Sequence, residues 1–315
     1  MPRCVIARER SDCGNLISRA KIAAVAALPR NDTLEDILIL FCPIIKFKTI
    51  MPSRELKSVV LSGLGAITAR GDFILRTNES TALRGSTPAQ SSTALPGFQL
   101  SDYLDTKKTY LDRCSSLALA GGALALRDAG IEWPTQNEKF GITLGTHLGC
   151  VETMKGFWDK AHERGVHLAP PLLFSHSYFN TPISLCAIEF GLKGYHTTVC
   201  AGHNSGLEAV RAAFDAIRLG HADAMLCGGV EAITPTRALC EPNENLGEAA
   251  VFFVLENAEC AAKRGAEYSR AIDDNVFGAA AQHIEAVRAT FGDCGGAQGA
   301  LRVLWELGSI DSLEL

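Results

Sequence analysis

Residues 194–232 read GYHTTVCAGHNSGLEAVRAAFDAIRLGHADAMLCGGVEA, and the change of period inside this stretch decides the fold class. Leu207, Val210, Phe214 and Ile217 recur at spacings of three and four, while Glu208, Arg211, Asp215 and Arg218 fall on other faces. That pattern predicts an amphipathic helix beginning near Asn204 and stopped by Gly220. The apolar run Ala224 to Cys227 that follows is short enough for a buried strand. Working outward, Ser58 to Ser62, Gly141 to Leu144 and Ala250 to Leu255 read as further strands, the first closed by a turn at Gly63-Leu64-Gly65. Short apolar runs alternating with longer helix-like segments predict an α/β fold, a parallel or mixed sheet covered by helices. Thr77 to Gly97, rich in Ser, Thr, Pro and Gly, reads as a surface loop, and no internal repeat or heptad array is visible.

The chain has 315 residues, 47% hydrophobic and 21% charged, which is enough to bury a sizeable core and excludes disorder as its main character. A net charge of -5 argues against the broad basic surface of a nucleic-acid binder. The 11 cysteines are scattered, with no C-x-x-C pair, so neither a zinc site nor a redox motif is expected. Many stand beside Ala, Leu or Gly and read as small buried hydrophobes in a reducing compartment. The longest apolar run, Ile37 to Phe47, holds Pro43 and Lys46 and is too short to span a bilayer. No secretory pattern precedes it, since Asp12 and Asn15 stand where an apolar stretch should begin. A cytoplasmic location is expected, with no membrane span, metal or cofactor. Residues 1–50 differ in character from the rest and are read as a spurious or dispensable extension, with Met51 as the expected start.

Four groups of residues match, in order, the motifs of one known family. Phe190-Gly191-Leu192-Lys193-Gly194, the turn through Ser205-Gly206-Leu207, and Gly220-His221-Ala222-Asp223 to Gly228-Gly229-Val230-Glu231-Ala232 are similar to the family's nucleophile region. Val59-Val60-Leu61-Ser62-Gly63-Leu64-Gly65 resembles its opening strand, and Gly145-Thr146-His147-Leu148-Gly149 its second glycine turn. Gly247-Glu248-Ala249-Ala250 resembles the family's G-E-G-A. On these motifs the chain resembles the β-ketoacyl-ACP synthases from Met51 to about Ala271. The resemblance implies a thiolase-like α-β-α layered fold in which 51–271 form a nearly complete N-terminal half and 272–315 the remnant of a reduced C-terminal half.

In that family a cysteine at a strand-to-helix turn feels the positive end of a helix, which activates its thiol. Counting from Gly194 forward and from Ser205-Gly206 backward puts His203 at that position. Acyl-imidazoles hydrolyse readily, so His203 is expected to be a poor holder of an acyl chain. Cys200, three residues upstream, is expected in buried strand. The family's A-H-G-T-x-T motif is missing, and its second histidine falls at Asp293, where a carboxylate would repel a developing enolate. Both positions are therefore expected to be inactive. Asn204, Ser205, Gly206 and Glu248 are carried over as the surrounding binding positions, with Glu248 read as a structural hydrogen-bonding residue under the site. His147 and His176 read as structural, and Lys155, Lys160 and Arg164 as a solvated face that is also a candidate contact for an acidic carrier protein. The expected role is a non-catalytic, chain-length-factor-like member of fatty-acid or polyketide-type assembly. Its expected partners are acyl carrier protein and an active synthase, or a second copy of itself. The rival readings are an acyltransferase, decarboxylase or hydrolase acting through His203, and a simple acyl or carrier-protein binding module.

Overall fold

The computed structural model describes residues 56–74, 93–242, 245–267 and 269–308. The reading of residues 1–50 lies outside them, as does most of the loop expected over Thr77 to Gly97.

Among the described residues, seven strands form one mixed sheet. They are β1 (Val59–Thr68), β2 (Gly71–Phe73), β3 (Phe140–Gly145), β4 (His196–Val199), β5 (Ala224–Glu231), β6 (Ala249–Asn257) and β7 (Arg270–Ile272). Their order is β2-β1-β6-β5-β3-β4, with β7 also on β1. β3 pairs in parallel with β4 and β5, while β6 runs antiparallel to both β1 and β5. All of β1, β3, β5 and β6 are buried, as near-continuous apolar strands covered on both faces must be.

One face carries α1 (Arg113–Asp128), which packs across β1, β6 and β5. The other carries α5 (Ser205–Arg218) with α8 (Asp274–Ala280), α9 (Ile284–Phe291) and α10 (Gln298–Glu306). Between them stand α2 (Val151–Arg164), α3 (Pro171–Ser175), α4 (Thr181–Phe190), α6 (Pro235–Cys240) and α7 (Ala258–Arg264) in chain order, α4 joining α1 on its face. The result is the expected α-β-α layering, with one apolar core on each side of the sheet. Leu207, Val210, Phe214 and Ile217 all enter the core beneath α5, so the stripe read from spacing is the face that packs.

Two local expectations need correction. Gly63-Leu64-Gly65 is not a turn, because β1 continues to Thr68 with a register shift between Leu61 and Gly63. The glycines are needed for close approach: a Cβ on Gly65 would stand 2.4 Å from the Ala125 nitrogen, and one on Gly63 2.5 Å from the Ala125 oxygen. Cys200 is not core either, but exposed just beyond β4. Among the described residues β4 ends the sheet and has a neighbour on one side only, and its residues are exposed or half-buried.

Candidate functional site

The chain leaves β4 and turns sharply before α5. Gly202 takes φ +60°, a left-handed value that favours glycine. The Ser205 hydroxyl closes the turn, donating to the Gly202 oxygen at 2.6 Å and accepting from the Ala201 N–H at 2.8 Å. Ser205 and Gly206 are buried, and a Cβ on Gly206 would lie 2.7 Å from the Ala300 nitrogen, so α10 clamps the first turn of α5. Asn204 is exposed and its Oδ1 accepts from Arg302 Nη2 at 2.5 Å. Arg302 is itself 2% exposed, and burial lowers its pKa against the opposing pull of Glu208.

This turn presents an imidazole to solvent. The His203 side chain is 48% exposed, and its Nε2 meets Asp293 Oδ1 at 2.8 Å. The fold therefore joins the two positions that counting assigned to a lost nucleophile and a lost histidine. Asp293 is 5% exposed. Burial opposes its charge, but the Gly295 N–H, the Arg288 guanidinium and His203 outweigh that penalty and hold its carboxyl below the ordinary aspartate range.

Sequence reasoning missed the cation behind this pair. Arg237, in α6, is 1% exposed. It donates to the carbonyl oxygens of Gly247 and Asp293, both at 2.8 Å, and to Glu241 Oε2 at 2.9 Å. Glu241 in turn lies 3.1 Å from His147 Nε2 through its other oxygen. The His147 and His203 rings face each other with centroids 6.2 Å apart and an interplanar angle of 26°. One guanidinium thus lies between two carboxylates, each of which backs one imidazole. The available signal was an arginine six residues beyond a buried strand that itself ends in Glu231, a buried carboxylate whose charge Arg237 favours.

Glu231 fills the concavity made by the second glycine turn. Its carboxylate accepts the N–H groups of His147 at 2.6 Å and of Gly296 at 2.9 Å, with those of Leu148 and Gly149 near 3.2 Å. Burial raises its pKa, against the pull of Arg237 and of these N–H groups. Glu248 is 2% exposed and fully engaged, taking Arg113 in a bidentate pair together with the N–H groups of Leu95 and Ile233. His176 packs its ring edge on Tyr110 at 5.2 Å, remote in character from this network. Lys155 forms an exposed pair with Asp159, and Lys160 lines a separate cavity of about 330 Å³ beside Tyr110, Arg113 and Cys150.

Burial and Glu231 raise the Cys200 pKa, and burial pushes Cys114, Cys150 and Cys294 far higher. Among the described residues, no cluster of three or more His, Cys, Asp or Glu side chains is placed to hold a metal ion, and no helix is long and apolar enough to cross a membrane.

The sequence profile described as "Beta-ketoacyl synthase, N-terminal domain" matches residues 77–243, just over half of the chain. The chain belongs to the β-ketoacyl synthase family. It is 32% identical over 190 residues to the tetracenomycin polyketide synthase ketoacyl synthase alpha subunit of Streptomyces glaucescens, covering 49% of this chain but only 44% of that protein. Among solved structures it is similar to the ishigamide ketosynthase/chain length factor, with a TM-score of 0.55 and 22% identity over 69% of this chain and 61% of that one. It is also similar to a β-ketoacyl synthase from Burkholderia phymatum STM815, with a TM-score of 0.60 and 21% identity over 81% and 86% of the two chains. The α-β-α arrangement is therefore the thiolase-like fold of the ketosynthases, and the chain is a ketosynthase-like protein.

Proposed function

We propose that this chain is a non-condensing β-ketoacyl synthase homologue that serves, like a chain-length factor, as the partner of an active synthase. One observation carries this reading: the turn where the family places its nucleophile offers His203, held by Asp293, and no reactive thiol. A condensing enzyme must hold its acyl chain as a thioester while the second substrate arrives, and an acyl-imidazole is too short-lived for that. On this reading His203 and Asp293 take no part in carbon–carbon bond formation, Asn204, Ser205 and Gly206 shape the turn, and Glu248 supports it from below. Residues 1–50 are dispensable on the same reading.

Two surfaces support association. Among the described residues β4 has an open edge at the end of the sheet, the feature most prone to pairing with another strand. Before it in sequence, Trp158, Val166, Leu168, Leu172, Phe174 and Tyr178 are exposed, and edge-to-face and tilted ring contacts link Trp158 through Phe157 and Phe174 to Tyr178. An apolar group of that size marks an interaction face. One similar structure is a ketosynthase/chain length factor, and another is a type II PKS acyl-carrier protein in complex with its ketosynthase. The partners proposed here are an active synthase and, through it, an acyl carrier protein.

Co-purification tests the reading. The tagged full chain, and a version begun at Met51, are co-expressed with ketosynthases of the same organism and run on a sizing column with light scattering. A stable complex with one synthase is expected from both versions. A monomer that associates with no synthase sinks the proposal.

A further inference from the structure

The network around Arg237 has more order than the partner role requires. Two imidazoles face each other across 6.2 Å at an angle of 26°, His203 48% exposed and His147 35% exposed in their side chains. Each is held through Nε2, one by Asp293 at 2.8 Å and the other by Glu241 at 3.1 Å. Both carboxylates are fixed by the buried Arg237, and Asp293 is further held by Arg288 and the Gly295 N–H. Neither Nδ1 has a protein partner among the described residues. A carboxylate that accepts Nε2–H leaves the Nδ1 lone pair free, which is the arrangement that makes a histidine a general base. A residue that merely fills the space of a lost nucleophile needs neither an orienting carboxylate nor a second imidazole opposite it.

We infer that His203 and His147 hydrolyse acyl thioesters by activating water, with no covalent acyl-enzyme. This goes beyond the partner role and is independent of it. His203 Nδ1 takes a proton from water as the water oxygen bonds to the thioester carbonyl carbon. The carbon–sulfur bond then breaks, and the leaving thiolate takes a proton from the His147 imidazolium. The products are the free acid and the thiol, and the proton gained by His203 passes to His147 to reset the pair. The positive end of α5, which begins at Ser205 directly after this turn, favours the negative charge that develops on the carbonyl oxygen. Asp293 and Glu241 are positioning residues in this scheme. Cys200 lies outside it.

The test uses the purified full chain with the octanoyl thioester of N-acetylcysteamine, following thiol release with a chromogenic disulfide. Release above the spontaneous rate is expected. His203→Ala should lower kcat by about a hundredfold or more, the range for loss of a general base, with partial recovery when imidazole is added to the medium. That recovery separates loss of the base from loss of the fold. His147→Gln and Asp293→Asn should each lower kcat with KM little changed, and Cys200→Ser should leave the rate as it was. No release above the spontaneous rate overturns the inference. So does full activity in His203→Ala, or its loss in Cys200→Ser. A chain that hydrolyses nothing yet binds a synthase sinks this inference alone and leaves the partner role standing.

Discussion

Arg237 is the residue on which the site depends most. It is 1% exposed and joins main-chain oxygens of three segments, those ending near Ala232, Gly247 and Asp293, to the Glu241 carboxylate. Removing a buried cation strands its partners, which costs about 3–5 kcal/mol. Arg237→Met should therefore lower the urea midpoint severely, while Lys155→Ala, which breaks only the exposed pair with Asp159, should not move it measurably. Asp293 gives a second expectation with a definite sign. Its carboxyl is held below the ordinary range in the folded chain, so the unfolded chain binds that proton at higher pH. The stability it contributes is complete above the unfolded value, near 4, and disappears as pH falls through the lowered folded value. Urea midpoints measured from pH 6 to pH 3 should fall less steeply in Asp293→Asn than in the natural chain, and equal slopes would refute the assignment. At this scale the sequence disclosed His203 and Asp293 by counting alone. It did not disclose their contact, because residues 90 positions apart carry no signal of spatial pairing.

Among the elements, β1 and α1 are matched by the absence of side chains as much as by their presence. Gly65 faces the Ala125 nitrogen and the Gly121 oxygen, backbone atoms that cannot give way, so Gly65→Ala should destabilise by about 1–3 kcal/mol through overpacking. Gly278 in α8 offers the opposite case, since a Cβ there would meet nothing within 4 Å and its φ is not positive. Gly278→Ala should raise the melting temperature, by up to about 1 kcal/mol of stability, as helix propensity alone predicts. The edge strand makes a third case. The Tyr195 and Val199 oxygens accept from the Ile142 and Thr146 N–H groups of the neighbouring segment. Alternation in a parallel ladder then turns the His196 and Thr198 backbone groups to the open side. If a partner strand adds there, Thr198→Pro removes a donor the partner needs and none that β3 uses. Complex formation should be lost on the sizing column while the isolated chain melts within a few degrees of the natural one. Survival of the complex would move the interface away from β4.

For the molecule as a whole, patterning was enough to give the layered α/β class. Apolar runs of strand length and a helix of period 3.6 each report burial that is local in sequence, and α5 packs on the face that Leu207, Val210, Phe214 and Ile217 define. Motif order was enough to give the ketosynthase likeness, and register counting was enough to put an imidazole at the nucleophile position. Where sequence reasoning went wrong, it treated a packing requirement as a local one. Glycines in β1 looked like a turn, but they clear the path of α1, and Cys200 looked like core because nothing local says that β4 is the last strand of the sheet. The association of Arg237 with Glu241, Asp293 and the two histidines was decided only in three dimensions. Buried charges choose partners by proximity after the apolar core has formed, and proximity between α6, the glycine turn after β3 and the turn before α5 is set by the sheet order rather than by chain order.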